Sequence, residues 1–103
     1  MPLLIYTTAP SKKQAKRLAK WLCNRHLAAC VQAQKIKSHY QWQGKLCVES
    51  EVLITIKTRK KLYKKVRRFL RHHHPYEVPE ILALKTHKVD KFYKKWLKNT
   101  TKA

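Results

Sequence analysis

A run of about twelve residues that alternates without a break constrains this chain more than anything else in it. Leu46, Val48, Ser50, Val52, Ile54 and Ile56 fall on one side, and Cys47, Glu49, Glu51, Leu53, Thr55 and Lys57 on the other, the period-two signature of a β-strand. Just before it stands Trp42-Gln43-Gly44-Lys45, which holds the only glycine of the chain. A tight hairpin turn needs positive φ, and glycine takes that up without strain. The strand is therefore one arm of a hairpin; the other arm is read over Leu27–Trp42, with a break expected near Lys35–Lys37. At ~3.3 Å per residue the strand is roughly 40 Å long, whereas a compact domain of this size has a radius of gyration near ~13 Å. The hairpin must overhang its own domain. An overhanging, half-apolar hairpin exposes unpaired edges and invites another chain to pair with it.

The remaining segments supply the rest of a two-layer fold. Pro2–Thr8 is apolar and reads as a strand. Ser11 is a helix N-cap, and Ala15, Leu18, Ala19, Leu22 and His26 repeat on one helical face to about Arg25. Lys60–His73 is a second helix through Leu62, Val66, Phe69, Leu70 and His73; it ends there because His74 precedes Pro75, which disfavours helical geometry. Ile81–Thr86 is a fourth strand, and Val89, Phe92, Tyr93, Trp96 and Leu97 mark a third helix. The order β-α-β-β-α-β plus a C-terminal helix is the α+β, ferredoxin-like order: one antiparallel sheet with helices on one face, in a single domain over residues 1–103.

Composition excludes several classes. Apolar runs such as Leu27–Val31 and Ile81–Leu84 are too short to span a bilayer, and Met1–Thr8 lacks the basic segment and long apolar stretch of a signal peptide. The expectation is a cytoplasmic protein with no membrane partner. Cys23, Cys30 and Cys47 form no C-x-x-C pair and are expected as reduced, mostly buried thiols. One glycine excludes a glycine-rich phosphate loop, and no nucleophile elbow or pair of spaced carboxylates supports an enzyme.

Charge is the anomaly: 25 Lys and Arg against 5 acids, a net +20. Many cations lie on polar helix faces, among them Lys12, Lys13, Lys16, Arg17, Lys20, Lys64, Lys65, Arg67, Arg68, Lys94, Lys95 and Lys98. Such a shell attracts phosphate whatever its purpose. A nucleic-acid-binding or other polyanion-binding protein is thus the alternative class, although aromatics are not interleaved with the basic runs. The expectation is polyanion binding at low salt, without sequence preference, released near physiological salt by counterion effects.

Five segments stand in order: Thr8-Ala9-Pro10, Leu27-Ala28-Ala29-Cys30-Val31, Tyr40-x-Trp42-x-Gly44-Lys45, Glu51-Val52-x6-Thr58, and His73-His74-Pro75-Tyr76-Glu77-Val78-Pro79-Glu80. Together they resemble the CutA divalent-cation tolerance family from about Leu3 to Leu97. The resemblance implies a ferredoxin-like fold, a non-enzymatic homotrimer joined through long hairpins, and a link to copper or another divalent transition metal. Carried over, the family's proposed ligands fall on His73, His74 and Glu80, with Thr7 at the position of the family's cysteine. A hydroxyl is a poor soft ligand, so Thr7 disfavours Cu(I), while a histidine pair suits Cu(II), Zn(II) or Ni(II).

The same residues have plainer readings. Neighbouring helical residues diverge by ~100°, so His73 can close the apolar face with Phe69 and Val66 while His72 and His74 stay solvated. The two prolines of the 75–80 loop can be purely architectural. Glu80, a rare acid in a basic chain, can have a basic partner. Tyr40 and Trp42, near Gly44, can stack bases; the overhang favours them as buried anchors of a subunit interface.

Overall fold

The structure, a computed structural model, describes residues 1–102. β1 (Pro2–Ala9), α1 (Lys12–Asn24), β2 (Cys30–Trp42), β3 (Lys45–Arg59), α2 (Tyr63–His73, entered through a 3-10 turn at Lys60–Leu62), β4 (Leu82–Lys85) and α3 (Lys91–Thr100) follow in that order. The sheet order is β2-β3-β1-β4, with every neighbouring pair antiparallel. This is the ferredoxin-like arrangement that the element order predicts.

Local chemistry sets the element ends. Ser11 caps α1, its side chain accepting from the Gln14 N–H at 3.2 Å. Asp90 caps α3, accepting from the N–H groups of Phe92 and Tyr93, both at 3.0 Å. α2 stops at His73, as the following His74-Pro75 requires. At the hairpin tip Gln43 and Gly44 both have positive φ, 51° and 77°, the requirement of a type I′ turn.

The core lies between the helices and one face of the sheet. Ile5, Ile54 and Ile56 from the strands meet Leu18 and Leu22 of α1 and Val66 and Leu70 of α2, all fully buried or nearly so. Burying a branched aliphatic side chain contributes about 1.5–3 kcal/mol. α3 docks differently: Leu97 is buried, and the Arg59 guanidinium donates to the Thr101 hydroxyl and carbonyl; separately, the Thr58 hydroxyl of β3 donates to Leu27 O in the turn after α1 at 2.6 Å.

The overhang is real. β1 pairs with β3 only from Pro2↔Arg59 to Ala9↔Val52, while β2 pairs with β3 from Cys30↔Lys57 to Trp42↔Lys45. The stretch Lys45–Glu51 thus has β2 as its only strand neighbour. The molecule is drawn out to 45 Å along one axis against 26 and 22 Å on the others. Beyond the helices the inward face of the hairpin loses its cover, leaving Leu46 66% and Val48 52% exposed. The sheet face opposite the helices is also open, with Leu82 and Leu84 exposed.

Three expectations change. β2 begins at Cys30, because the left-handed His26 (φ 57°) and the turn after α1 occupy the preceding residues. It runs unbroken through Lys35–Lys37, since those residues keep register with Val52, Glu51 and Ser50 and an exposed strand tolerates lysine. The cysteines are not buried: Cys23 is exposed, and Cys30 and Cys47 are half-buried.

The turn yields a test. Gln43→Asn, which tolerates positive φ better, is expected to raise stability by a few tenths of a kcal/mol, and Gly44→Val to lower it by about 1–2 kcal/mol. Chemical denaturation of both variants checks the opposite signs.

Candidate functional site

After α2, residues 74–80 carry the chain around the end of β1 toward β4, and His74 fixes their path. Its Nδ1 accepts the Tyr76 backbone N–H at 3.0 Å, so the ring proton is on Nε2, which donates to Thr8 O at 2.7 Å. The neutral imidazole is thereby satisfied on both nitrogens. Burial pushes the His74 pKa below its ordinary value, with the Thr8 carbonyl and the Glu51 carboxylate opposing. Protonation would set an Nδ1–H against the Tyr76 N–H.

The clasp aims Tyr76 at the sheet. Its hydroxyl donates to Glu51 Oε2 at 2.6 Å, the short distance of a charge-assisted bond. Burial raises the Tyr76 pKa well above that of a free phenol, and Glu51 adds to the rise. For Glu51, only 8% exposed, burial alone would raise the pKa. The Tyr76 bond, the nearby Ser38 and Thr8 hydroxyls and the His74 imidazole outweigh it, and the carboxyl lies below its ordinary value. A buried anion is thus held by donors rather than by a cation.

The loop and the open face of the hairpin enclose a cleft of about 690 Å³, lined on one side by Ser38, Tyr40, Trp42, Cys47, Glu49 and Glu51 and on the other by Pro75, Tyr76, Glu77, Val78 and Glu80. Four of the chain's five acids are here; the fifth, Asp90, caps α3. Glu80 is not met by a basic partner, as its rarity suggested. Burial and the neighbouring Glu51 both raise its pKa, the behaviour of a carboxyl beside another carboxyl.

The other expected residues are dispersed. His73 stays at the end of α2, its ring centroid 5.0 Å from Trp21, 4.5 Å from Phe69 and 4.7 Å from His72; burial, then His72 and Arg25, lowers its pKa. Thr7 is fully buried in register with Ile54 on the helix side of β1, its hydroxyl without a hydrogen-bond partner, while its neighbour Thr8 lines the cleft. Among the described residues no three His, Cys, Asp or Glu side chains converge to hold a metal ion. One chain alone does not assemble the implied ligand set. Tyr40 and Trp42 are 38% and 45% exposed beside the carboxylates.

Glu51 is the residue that sequence reasoning missed. Its signal was a carboxylate on the face opposite the buried isoleucines, one residue before the buried Val52.

The fold and this cleft define a ferredoxin-like α+β protein with a long hairpin and an acid-lined cleft, braced by a proline loop, at the hairpin's base. The sequence matches the CutA1 divalent ion tolerance protein family over residues 3–100. It is 39% identical over 101 residues to the chloroplastic Protein CutA 1 of Oryza sativa subsp. japonica, covering 97% of this chain and 57% of that one. It is 33% identical to the divalent-cation tolerance protein CutA of Pyrococcus horikoshii, covering 97% and 98%. The chain spans just over half the length of the plant and human relatives. The structure superposes with TM-score 0.97 on the periplasmic divalent cation tolerance protein CutA of Archaeoglobus fulgidus, at 36% identity and coverage of 99% and 100%. This chain belongs to the CutA1 divalent ion tolerance family.

Tyr76→Phe leaves Glu51 buried without its closest donor, at an expected cost of about 1–3 kcal/mol. Glu51 has a depressed pKa in the folded state, so its stabilisation is present above the unfolded carboxylate range and is lost as pH falls through the folded value. Tyr76→Phe should therefore also move acid unfolding to higher pH; an unchanged acid midpoint would show that the bond does not support the charge.

Proposed function

We propose that this chain serves divalent-cation tolerance as a non-enzymatic homotrimer, and that copper or another divalent transition metal is met at the acid-lined cleft. One observation carries the reading: a chain of net +20 gathers four of its five carboxylates in one cleft. Glu80 and Glu51 supply oxygen donors, His74 is the imidazole behind the wall, bonded to its residues Thr8 and Tyr76, and His73 stands on the preceding helical turn. The missing donors come from a neighbouring subunit, so the site lies where subunits meet. The unpaired hairpin, with Tyr40, Trp42 and Gly44 toward its tip and apolar Leu46 and Val48 uncovered, supports the trimer. Thr7, a buried hydroxyl where a soft ligand would be needed, weighs against Cu(I) and toward Cu(II), Zn(II) or Ni(II).

Residence in the cytoplasm belongs to the same proposal, supported by three cysteines without a disulfide; among the described residues no helix is long and apolar enough to cross a membrane. The basic shell is read as incidental, with non-specific polyanion binding confined to low salt.

Sedimentation velocity is expected to show a trimer, and a stable monomer at micromolar concentration rejects the assembly. Copper(II) titration should give tighter binding for the native chain than for His73→Ala/His74→Ala or Glu51→Gln/Glu80→Gln. Equal binding by all three moves the site elsewhere. Binding should weaken as pH falls below about 6, because ligation needs neutral imidazole with an unperturbed pKa of ~6.5. The lowered pKa values of His73 and His74 carry that loss further toward acid.

A further inference from the structure

At the opposite end of β1 from the acidic cleft lies a larger one, of about 840 Å³, formed by one chain where the first residues of β1, the 3-10 turn before α2, β4 and α3 come together. Its chemistry is the reverse. Seven of its thirteen lining residues are Lys or Arg and none is an acid. Its apolar lining is equally definite: Pro2 and Leu3 at the start of β1 and Leu97 of α3 are buried, with the small Ala83 of β4 beside them. Lys60, Lys61 and Lys64 stand on one side and Lys94 and Lys98 on the other.

We infer that this cleft is a binding site for a small amphipathic anion, an apolar body carrying a phosphate or sulfonate head. The volume falls within the ~300–1,000 Å³ range of small-molecule sites. Lysines brought together around a low-dielectric floor repel one another and focus a positive potential into the space between them. An anion relieves that repulsion, and only an apolar body profits from Pro2, Leu3, Ala83 and Leu97. Both halves of the ligand are thus specified by opposite halves of the lining. A second basic cleft along α2, about 590 Å³ and lined by Tyr63, Lys64, Arg67, Arg68, Arg71 and His72, has no aliphatic residue in its lining, and cations on open helix faces offer a phosphate charge alone, which salt screens beyond about 8 Å at physiological ionic strength.

The test is titration with 1-anilinonaphthalene-8-sulfonate, read by fluorescence at about 150 mM salt, where unlocalised charge effects are screened. Octyl phosphate and 1-naphthyl phosphate should displace the probe at concentrations at least tenfold below that of sodium tripolyphosphate; the better of the two tells whether the body is aliphatic or aromatic. Lys94→Glu/Lys98→Glu should weaken probe binding at least tenfold, and Lys13→Glu/Lys16→Glu on α1 less than twofold. Ala83→Trp fills the cleft and keeps every charge, so it should abolish probe binding while leaving retention on a phosphate resin at low salt unchanged. Displacement by tripolyphosphate as effective as by the organic phosphates, equal losses in the two lysine pairs, or full binding by Ala83→Trp would each overturn the inference. Sedimentation and melting of each variant identify any that fail to fold; for those, the competition series on the native chain decides.

Discussion

The mismatch in length between β3 and the layer that covers it organises this molecule. Eight residues of β1 pair with the C-terminal part of β3, and the helices bury that part. The N-terminal part runs on with β2 alone. Glu51 stands at the boundary, next to Val52, the last residue of β3 to pair with β1. A carboxylate there is close enough to the core to be desolvated and close enough to the end of β1 to be reached by a loop going around it. The 74–80 loop takes that course, and the His74–Thr8 and Tyr76–Glu51 bonds hold it to the sheet. The acidic cleft follows from where one strand outlasts its neighbour.

Scarcity of acids shapes the remaining electrostatics. Cations turn to rings and neutral oxygens. Arg17 and Arg25 lie 5.9 Å from the Trp21 ring, Arg25 also 5.1 Å from Phe69, and Arg59 binds the end of α3 through Thr101. The first turns of α1 and α2 hold no acid and begin with lysine or follow lysines, which opposes the helix dipole by about 0.3–1 kcal/mol for a charge at that end. At these two helix starts the positive charge is not arranged for stability, although Arg71 in the last turn of α2 and Lys98 in that of α3 suit the dipole. The charge is tolerated on solvated faces, and the apolar core under it, with Ile5, Ile54, Ile56, Leu70 and Val66 fully buried, carries the fold.

The fold was legible because each element had a local cause. Alternation marked β3, Gly44 marked the turn, Ser11 and His74-Pro75 bounded the helices, and spacing arguments need no partner. Errors came where context outweighed local signals: the lysines of Lys35–Lys37 suggested a break that cross-strand register removes, and Leu27 suggested strand where the left-handed His26 makes a turn. The cleft was only half legible. The resemblance put Glu80 among the implied ligands, and the two prolines marked the 75–80 loop as stiff. That Glu51 would face this loop depends on two strand registers and a loop path, which no single segment encodes. The same reason separates His73 from His74: adjacent in sequence, they straddle the helix end, one ring turned to Trp21 and Phe69, the other to Thr8.

The pairing of Glu51 with Glu80 has a chemical consequence. Glu51 is kept charged by a phenol, two nearby hydroxyls and an imidazole, none of which neutralises it. Its charge is therefore felt by the next carboxyl, and Glu80 becomes harder to ionise. A proton on Glu80 relieves the repulsion, and burial and Glu51 both favour that protonated form. A cation relieves it in a different way, by attracting both carboxylates at once. Proton and cation then compete for the same pair of carboxylates, and His74 is held back from coordination while its ring nitrogens are taken by Thr8 and Tyr76. If this imidazole enters a coordination sphere it must first release the loop. Cation capture through His74 and loop position are thus mechanically tied, since the bonds that hold Tyr76 against Glu51 begin at the ring that a metal would claim.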